Sequence, residues 1–199
     1  MNNDKSILHY GVAEQGKLHA LDGDHMLALQ YYRLAMKMTI DQKSPEVFFR
    51  HYLECSLESL ELMESYDDVI AYCDKAIAHY KQNPPSNEVA QKDLANIYQR
   101  RGIVLLKKGL HDEALYALQK AIALIKNKAK VMPLAVQFQR WIAANYHFNA
   151  SRVVQEQKSH RYFLVRKDTV SKEKAIRIPD NILFASKQSS LQEALHAGQ

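Results

Sequence analysis

The residues of this chain that could take part in chemistry are nine histidines, two cysteines and a group of closely spaced glutamates. The histidines stand singly, and no His-Glu-x-x-His pair places two of them on one helix face to bind zinc. Cys55 and Cys73 lack the short spacing of metal or redox pairs. The sequence has no glycine-rich phosphate loop and no Gly-x-Ser-x-Gly motif. These patterns predict a protein that is not an enzyme and that uses neither a metal nor another cofactor.

The glutamates offer a more specific pattern. Glu54, Glu58 and Glu61 are spaced i, i+4 and i+7, so a helix would carry all three on one face. The adjacent face would carry the natural core residues Leu53, Leu57 and Leu60. Three stacked carboxylates repel one another by a few tenths of a kcal/mol per pair. Two interpretations stay open: a solvated helix face, or an acidic strip that receives Lys or Arg from a partner peptide.

Charge is distributed unevenly along the chain. The formal net charge is +5, yet residues 1–125 carry 14 Lys and Arg against 17 Asp and Glu, whereas residues 126–178 carry 12 against 3. An acidic body followed by a basic segment indicates an anionic partner or a segment that folds back on the body. The basic residues of the C-terminal tail are Arg161, Arg166, Lys167, Lys172, Lys174 and Arg177.

This basic tail has three interpretations. It could lie across the acidic strip of its own or a neighbouring molecule, with Phe163 and Ile176 as apolar anchors. It could instead be a solvated, disordered tail, as its polar composition allows. A weaker alternative is a nucleic-acid contact, because Tyr162 and Phe163 beside basic residues resemble the mixture found in single-strand binders.

Composition bounds the class of protein. At 199 residues and 47% hydrophobic content, the chain can bury a sizeable core. No stretch approaches the roughly 20 apolar residues needed to cross a bilayer, so no membrane span is expected. The N-terminal residues do not match a secretory signal, and the two cysteines lack a disulfide-type pattern. We expect a cytoplasmic protein.

Apolar periodicity and start and stop signals predict seven helices. Their approximate bounds are 4–20, 24–40, 45–63, 66–81, 87–108, 111–127 and 132–157. Ser44 and Ser86 are the predicted N-caps of the third and fifth helices. After the seventh predicted helix, residues 161–165 and 176–179 are predicted to be extended. Ser190 is predicted to cap a last helix that ends at Gly198.

A phrase of small residues recurs with an internal spacing of 7, 5 and 7. The first copy is Gly16, Gly23, Ala28 and Ala35; the third is Gly102, Gly109, Ala114 and Ala121; a degraded middle copy is Leu57, Glu64, Val69 and Ala76. Two antiparallel helices approach closely only where side chains are small, and glycine at a turn adopts a left-handed backbone without strain. The phrase therefore predicts three helical hairpins, each with a tight turn.

This pattern resembles the tetratricopeptide repeat (TPR), including aromatic or large apolar residues at Tyr32 and Leu118. Trp141, Ala144, Asn145 and Phe148 resemble the first helix of an incomplete fourth copy. The copies begin 41 and 45 residues apart instead of the usual 34, which is typical of the long-helix variety. The resemblance implies an all-α, right-handed stack with repeats at 5–40, 45–82 and 86–127. A capping helix at 132–157 would complete a domain of residues 1–157, followed by a basic tail, 158–199, partly extended or disordered.

The resemblance also implies a binding site, because the first helix of each repeat lines the concave groove of the family. The positions that it transfers to this chain are Tyr10, Lys17, His51, Glu54, Glu58, Glu61, Asn96, Gln99, Ile103 and Tyr146. The implied function is an adaptor, scaffold or chaperone-like module that binds a protein or peptide, with a preference for basic segments. A secretion-type chaperone is the alternative within the same class, and self-association is a further expectation.

Overall fold

The structure is a computed structural model that describes residues 3–125 and 132–185, with side chains from 8–125 and 132–184. Within these ranges the protein is all-helical and has no strand, so the all-α prediction is confirmed. The helices are α1 (Asn3–Leu21), α2 (His25–Asp41), α3 (Glu46–Leu62), α4 (Tyr66–Gln82), α5 (Glu88–Lys107), α6 (His111–Ala123), α7 (Pro133–Ala143), α8 (Ala150–Ser159) and α9 (Asp180–Ala185), with a 3-10 turn at Lys172–Lys174. None of the described helices is long and apolar enough to cross a membrane. The helix predicted from Ser190 to Gly198 lies outside the described residues. The sixth helix is predicted to reach about residue 127, but α6 ends at Ala123 and is capped by Leu124.

Two predicted N-caps are wrong by one residue. The cap of α3 is Pro45, which makes no side-chain cap hydrogen bond, so Ser44 does not serve. At α5 the cap is Asn87, whose side chain accepts a hydrogen bond from the Ala90 N–H at 2.9 Å. Asparagine is as good an N-cap as serine, and here it is one residue closer to the helix.

The three predicted hairpin turns share one backbone conformation. Gly23, which follows α1, has φ 85°, and Gly109, which follows α5, has φ 77°. Glu64, the residue that replaces glycine in the middle copy, has φ 62° after α3. A side chain in this left-handed region costs roughly 1–2 kcal/mol. The middle copy therefore keeps the turn geometry even though it has lost the glycine.

The small residues allow close helix packing where the repeated phrase predicts it. A Cβ at Gly16 would lie 2.9 Å from the Cβ of Tyr31 and from the ring of Tyr32. A Cβ at Gly102 would lie 2.8 Å from the Cγ of Leu118. Both distances are shorter than carbon atoms tolerate, so α1 can approach α2, and α5 can approach α6, only because glycine is present.

The chain divides into two compact units. The terminal unit contains the described residues up to Met63 together with those from Phe163 onward, and the central unit is Glu64–Tyr162. In the terminal unit α2 packs on α1 and α3, around a core formed by Val12, Ala13, Tyr31, Ala35, Met36, Tyr52 and Leu183. In the central unit α5 packs on α4 and α6, and α6 on α7, around a core that includes Ile103, Leu105, Leu118, Met132, Phe138 and Val153.

The single helix predicted at 132–157 is corrected to two helices. α7 ends at Ala143, and Asn145 adopts φ 51°, while the Tyr146 N–H donates to the Trp141 carbonyl at 2.9 Å and closes the helix end. The interruption lets Phe148 stack on Phe138, with ring centroids 6.1 Å apart. Aromatic packing against the core thus outweighs helix continuation.

His111 contacts the same aromatic cluster, with its ring centroid 5.5 Å from that of Phe148. The imidazole packs on a ring here, which explains His111 without any ligand.

Candidate peptide-binding site

The C-terminal segment of the terminal unit lies on the helices formed by the N-terminal residues. We call residues 163–178 the strap. Along its length the strap hydrogen-bonds first to α3, then to α1 and then to α2. Ser171 meets Glu14 and Ile176 meets Gly11, so the strap runs antiparallel to α1. These helices thus form a surface that holds a non-helical polypeptide segment.

Glu58 on α3 holds the first part of the strap. Its carboxylate accepts hydrogen bonds from the backbone N–H of Leu164 at 2.6 Å and from that of Val165 at 3.1 Å. The Glu58 side chain is buried, and a buried carboxylate needs such donors to offset its lost hydration. Successive N–H groups of a regular strand point in opposite directions. The two N–H groups that converge on the Glu58 carboxylate therefore require a bend, which is observed at Leu164. This bend explains why the predicted extended segment at 161–165 is not a strand.

Glu14 on α1 holds the middle of the strap. One oxygen of its buried carboxylate accepts from the Nζ of Lys17 at 2.7 Å, and the other accepts from the backbone N–H of Ser171 at 2.7 Å. Lys17 is itself buried, so the pair neutralises charge inside the unit. Both oxygens of the Glu14 carboxylate are therefore engaged, one of them by the backbone of the strap.

Gly11 lets the strap touch the backbone of α1. The Ile176 N–H donates to the Gly11 carbonyl at 2.9 Å. A Cβ at Gly11 would lie 2.5 Å from the Cδ1 of Ile176 and 2.7 Å from the Lys174 carbonyl oxygen. Only glycine fits this position while the strap is in place.

Apolar side chains of the strap and of α9 complete the core of the terminal unit. Val165 packs against the cluster of Ala28, Tyr32 and Cys55. Beyond it, Leu183 of α9 is 1% exposed and belongs to the core beside α2. The Ile178 N–H also donates to the Tyr31 hydroxyl at 3.3 Å. Further members of the segment with buried or half-buried side chains are Phe163, Ile176 and Ile178.

The basic residues of the C-terminal segment differ in exposure and in the contacts that their side chains make. Arg161, Lys167, Lys172, Lys174 and Arg177 are exposed, and Arg166 bonds within the strap to the Phe163 carbonyl and to Asp168. Lys174 lies over the ring of Tyr10, with its Nζ 5.5 Å from the centroid. At Glu58 the strap supplies backbone amides, a contact that the charge pattern did not predict.

The predicted groove residues are divided between the two units. Tyr10 and Lys17 lie on α1 and His51, Glu54, Glu58 and Glu61 on α3, all in the terminal unit. Asn96, Gln99 and Ile103 lie on α5, and Tyr146 lies in the loop after α7, all in the central unit. Glu58 and Glu61 are 3% and 1% exposed and Glu54 is half-buried, so these glutamates are not a solvated face.

Two of the predictions in the central unit differ from what the structure has. Ile103 is fully buried in the core of that unit and offers no surface to a ligand there. Tyr146 is exposed, but it is not on a helix face, because α7 ends three residues before it.

Sequence reasoning missed Glu14 and Gly11. Glu14 stands three residues before Lys17, a spacing that pairs opposite charges on one helix face and could have drawn attention to it. Gly11 is a helical glycine with no place in the repeated phrase. An unexplained glycine inside a helix indicates a close approach by another backbone.

Burial also sets the protonation of His51 and Cys55. Burial lowers the pKa of His51 to about 4, assisted by the nearby Lys17 cation and opposed by Glu14. Burial raises the pKa of the Cys55 thiol to about 12. At neutral pH His51 is therefore uncharged and Cys55 is a protonated thiol, which is a poor nucleophile.

The central unit has a cavity of about 480 Å³ between α4, α5 and α6. It is lined by Asp74, Ile77, Lys81, Tyr98, Arg101, Asp112, Glu113 and Tyr116. Arg101 donates to Asp74 at 2.7 Å, so cations of the unit already neutralise part of the acidic lining. No group of three or more potential metal ligands occurs in the described part of the chain.

Fold and site together define an all-α protein of neighbouring packed helices whose first three helices hold a polypeptide strap. Comparisons with protein-family models, with curated proteins and with solved structures gave no match.

Proposed function

We propose that this protein is a non-catalytic protein-interaction module of the TPR class that binds an irregular polypeptide segment on α1–α3. The observation that carries the proposal is that two buried carboxylates, Glu14 and Glu58, accept backbone N–H groups of a non-helical segment. Side chains of peptides differ, but every peptide offers N–H groups except at proline. A surface with this chemistry suits peptide binding, as in an adaptor, scaffold or chaperone-like protein.

The finer architecture that we propose is a right-handed stack of three helical hairpins. The shared left-handed turn at Gly23, Glu64 and Gly109 supports it, as does the close packing at Gly16 and Gly102. Glu64 adopts the positive φ at the position where the first and third copies of the phrase have glycine.

We also propose a cytoplasmic setting. Cys55 and Cys73 are buried thiols and do not form a disulfide, which is typical of a reducing compartment.

A peptide is favoured over a nucleic acid as the partner. Phe163 is buried in the terminal unit. In the central unit, the guanidinium of Arg100 lies over the Tyr162 ring, 5.5 Å from the centroid of that ring. Binding of single strands needs aromatic faces on which bases stack. These two rings are already engaged by the protein.

Site-specific photocrosslinking in the native cell tests the proposal. A photoreactive amino acid at Glu54, one helical turn before Glu58, should crosslink a partner polypeptide. An excess of a synthetic peptide covering residues 160–179 should abolish that crosslink in extract.

The matched control carries the same photoreactive residue at Val89, which is exposed on α5 of the central unit. Equal crosslinking from both positions, or a crosslink at Glu54 that the peptide does not compete, would show that α1–α3 are not the binding surface.

A further inference from the structure

We infer that the strap is a displaceable occupant, and that a partner segment binds the terminal unit by replacing it. This inference rests on the proposed function, because it concerns how the same surface becomes accessible. The ligand class that it specifies is a peptide that can follow the bent path of the strap and has unblocked backbone N–H groups at the positions of Leu164, Val165 and Ser171.

The hydrogen bonds described above between strap and helices are donated by the backbone of the strap. The N–H groups of Leu164 and Val165 meet Glu58, that of Ser171 meets Glu14, and that of Ile176 meets the Gly11 carbonyl. These bonds are independent of side-chain identity. A foreign segment can therefore reproduce them, provided that it has no proline at those positions.

The side chains of the strap contribute less to its hold on α1–α3. Phe163 is buried, but Leu164 is 38% exposed, and Val165, Ile176 and Ile178 are only half-buried. The side chains of Lys167 and Lys172 are exposed. A segment with few buried apolar contacts opens at a lower free energy than the core that it covers. The strap can thus open locally, at a free-energy cost that includes the amide hydrogen bonds lost by Glu58 and Glu14.

An attached occupant weakens any competitor. A segment tethered to its own site has an effective concentration in the millimolar range for short linkers. A second peptide can bind only those molecules in which the site is open. Its apparent affinity is therefore its affinity for the open site multiplied by the fraction of molecules that are open. The strap therefore sets a threshold that only a tighter segment, or one at high local concentration, overcomes.

The experiment opens the strap without changing the helices. In the full chain, Val165→Pro with Ser171→Pro removes two amide donors, and a labelled peptide of residues 160–179 reports binding by fluorescence polarisation. We expect this variant to bind the peptide at least tenfold more tightly than the wild-type chain. The same peptide with proline at 165 and 171 should bind neither protein.

Lys167→Pro is the matched control. Lys167 is the second residue of the turn that the Thr169 N–H closes by bonding to the Arg166 carbonyl at 2.9 Å, a position that accepts proline. This variant should bind the peptide as weakly as wild type.

The outcomes separate the two proposals. If the wild-type chain and the double-proline variant bind the peptide equally, the strap is not a competitor and the inference fails, while peptide binding stands. If the double-proline variant is folded by circular dichroism and still binds no peptide, the proposed function itself fails.

A second measurement covers a variant that does not fold. In the wild-type chain, the amides of Leu164, Val165 and Ser171 should exchange hydrogen at least tenfold faster than the buried amides of α2. Equal exchange in strap and α2 would mean that the strap opens only when the unit unfolds, which would overturn the inference.

Discussion

At the scale of single residues, the terminal unit depends on buried charge that is satisfied locally. Glu14 is neutralised by Lys17 and bonded by Ser171, and Glu58 is bonded by two strap amides. Buried carboxylates without such donors would be strongly destabilising. Each carboxylate therefore links the stability of the unit to the presence of a peptide segment.

Glu58→Gln should loosen the strap. One carboxylate oxygen becomes an NH₂ group that cannot accept from an amide, and losing a hydrogen bond to a charged acceptor costs about 1.5–3 kcal/mol. Hydrogen exchange at the Leu164 and Val165 amides should accelerate accordingly, by at least tenfold. Glu54→Gln changes the charge equally on the same helix and should leave both rates unchanged; an equal effect from both variants would assign the change to net charge.

His51 makes stability fall in mild acid. Its pKa is about 4 in the folded protein against 6.5 as the ordinary value, so the unfolded chain binds the proton first as pH falls. The contribution of uncharged His51 to the free energy of unfolding is complete above pH 6.5 and is lost as pH falls toward 4. Burial also lowers the pKa values of His9 and His25, so these two residues likewise reduce the free energy of unfolding as pH falls.

Urea unfolding at pH 7 and at pH 4.5 measures this dependence. His51→Gln should reduce the difference between the two free energies of unfolding. His79→Gln, at an exposed position on α4, should not. An unchanged difference in the His51 variant would show that other groups cause the loss of stability.

At the scale of elements, the residue at each of the three predicted turns has a positive φ, even in the middle copy, where the sequence has no glycine. Gly23 and Gly109 fit their positive φ without strain, whereas Glu64 does not. The turn after α3 is therefore a place where stability has been given up, and neither backbone nor packing at that residue explains why a glutamate is present.

Glu64→Gly should stabilise the protein by about 1 kcal/mol, because glycine adopts the left-handed conformation without a Cβ clash. Glu64→Ala keeps the Cβ and should change the free energy of unfolding little, which makes it the control. Gly109→Ala should destabilise by about the same 1 kcal/mol. Urea denaturation of the three variants checks these values, and a gain in the alanine variant as large as in the glycine variant would reject backbone strain as the cause.

At the scale of the whole molecule, the terminal unit is built from both ends of the described chain. Leu183, close to the end of the described residues, lies in the core with Tyr31 and Met36 of α2. The central unit has a separate core. Damage at the C-terminal end should therefore appear in α1–α3.

Leu183→Ala should destabilise the terminal unit by about 2–5 kcal/mol, the usual cost of truncating a buried leucine. Hydrogen exchange should accelerate in α2 and remain unchanged in α6. Ile182→Ala, on the same helix but at a side chain that is 52% exposed, is the control and should have little effect. Faster exchange in α6 as well would mean that the two units unfold together.

Local sequence patterns determined the helices and their turns. The first five helices begin and end within about two residues of the bounds that apolar periodicity and stop signals predict, because both depend on neighbours within a few turns. The repeated glycines predicted the close contacts at Gly16 and Gly102 for the same reason. The break at Asn145 was missed, since it depends on an aromatic contact with the core.

The tertiary structure alone decided what the glutamates do. The periodicity of Glu54, Glu58 and Glu61 showed that they share a helix face, but not what faces them. Glu58 meets an amide that is 106 residues away in sequence, and Glu14 meets one that is 157 residues away. These contacts are made by backbone N–H groups, which every residue except proline has, so no residue type marks them in the sequence. The charge pattern left open whether the basic tail returns to the acidic helices, contacts another partner or stays solvated. Packing and backbone hydrogen bonding decide how residues 163–178 are held on α1–α3.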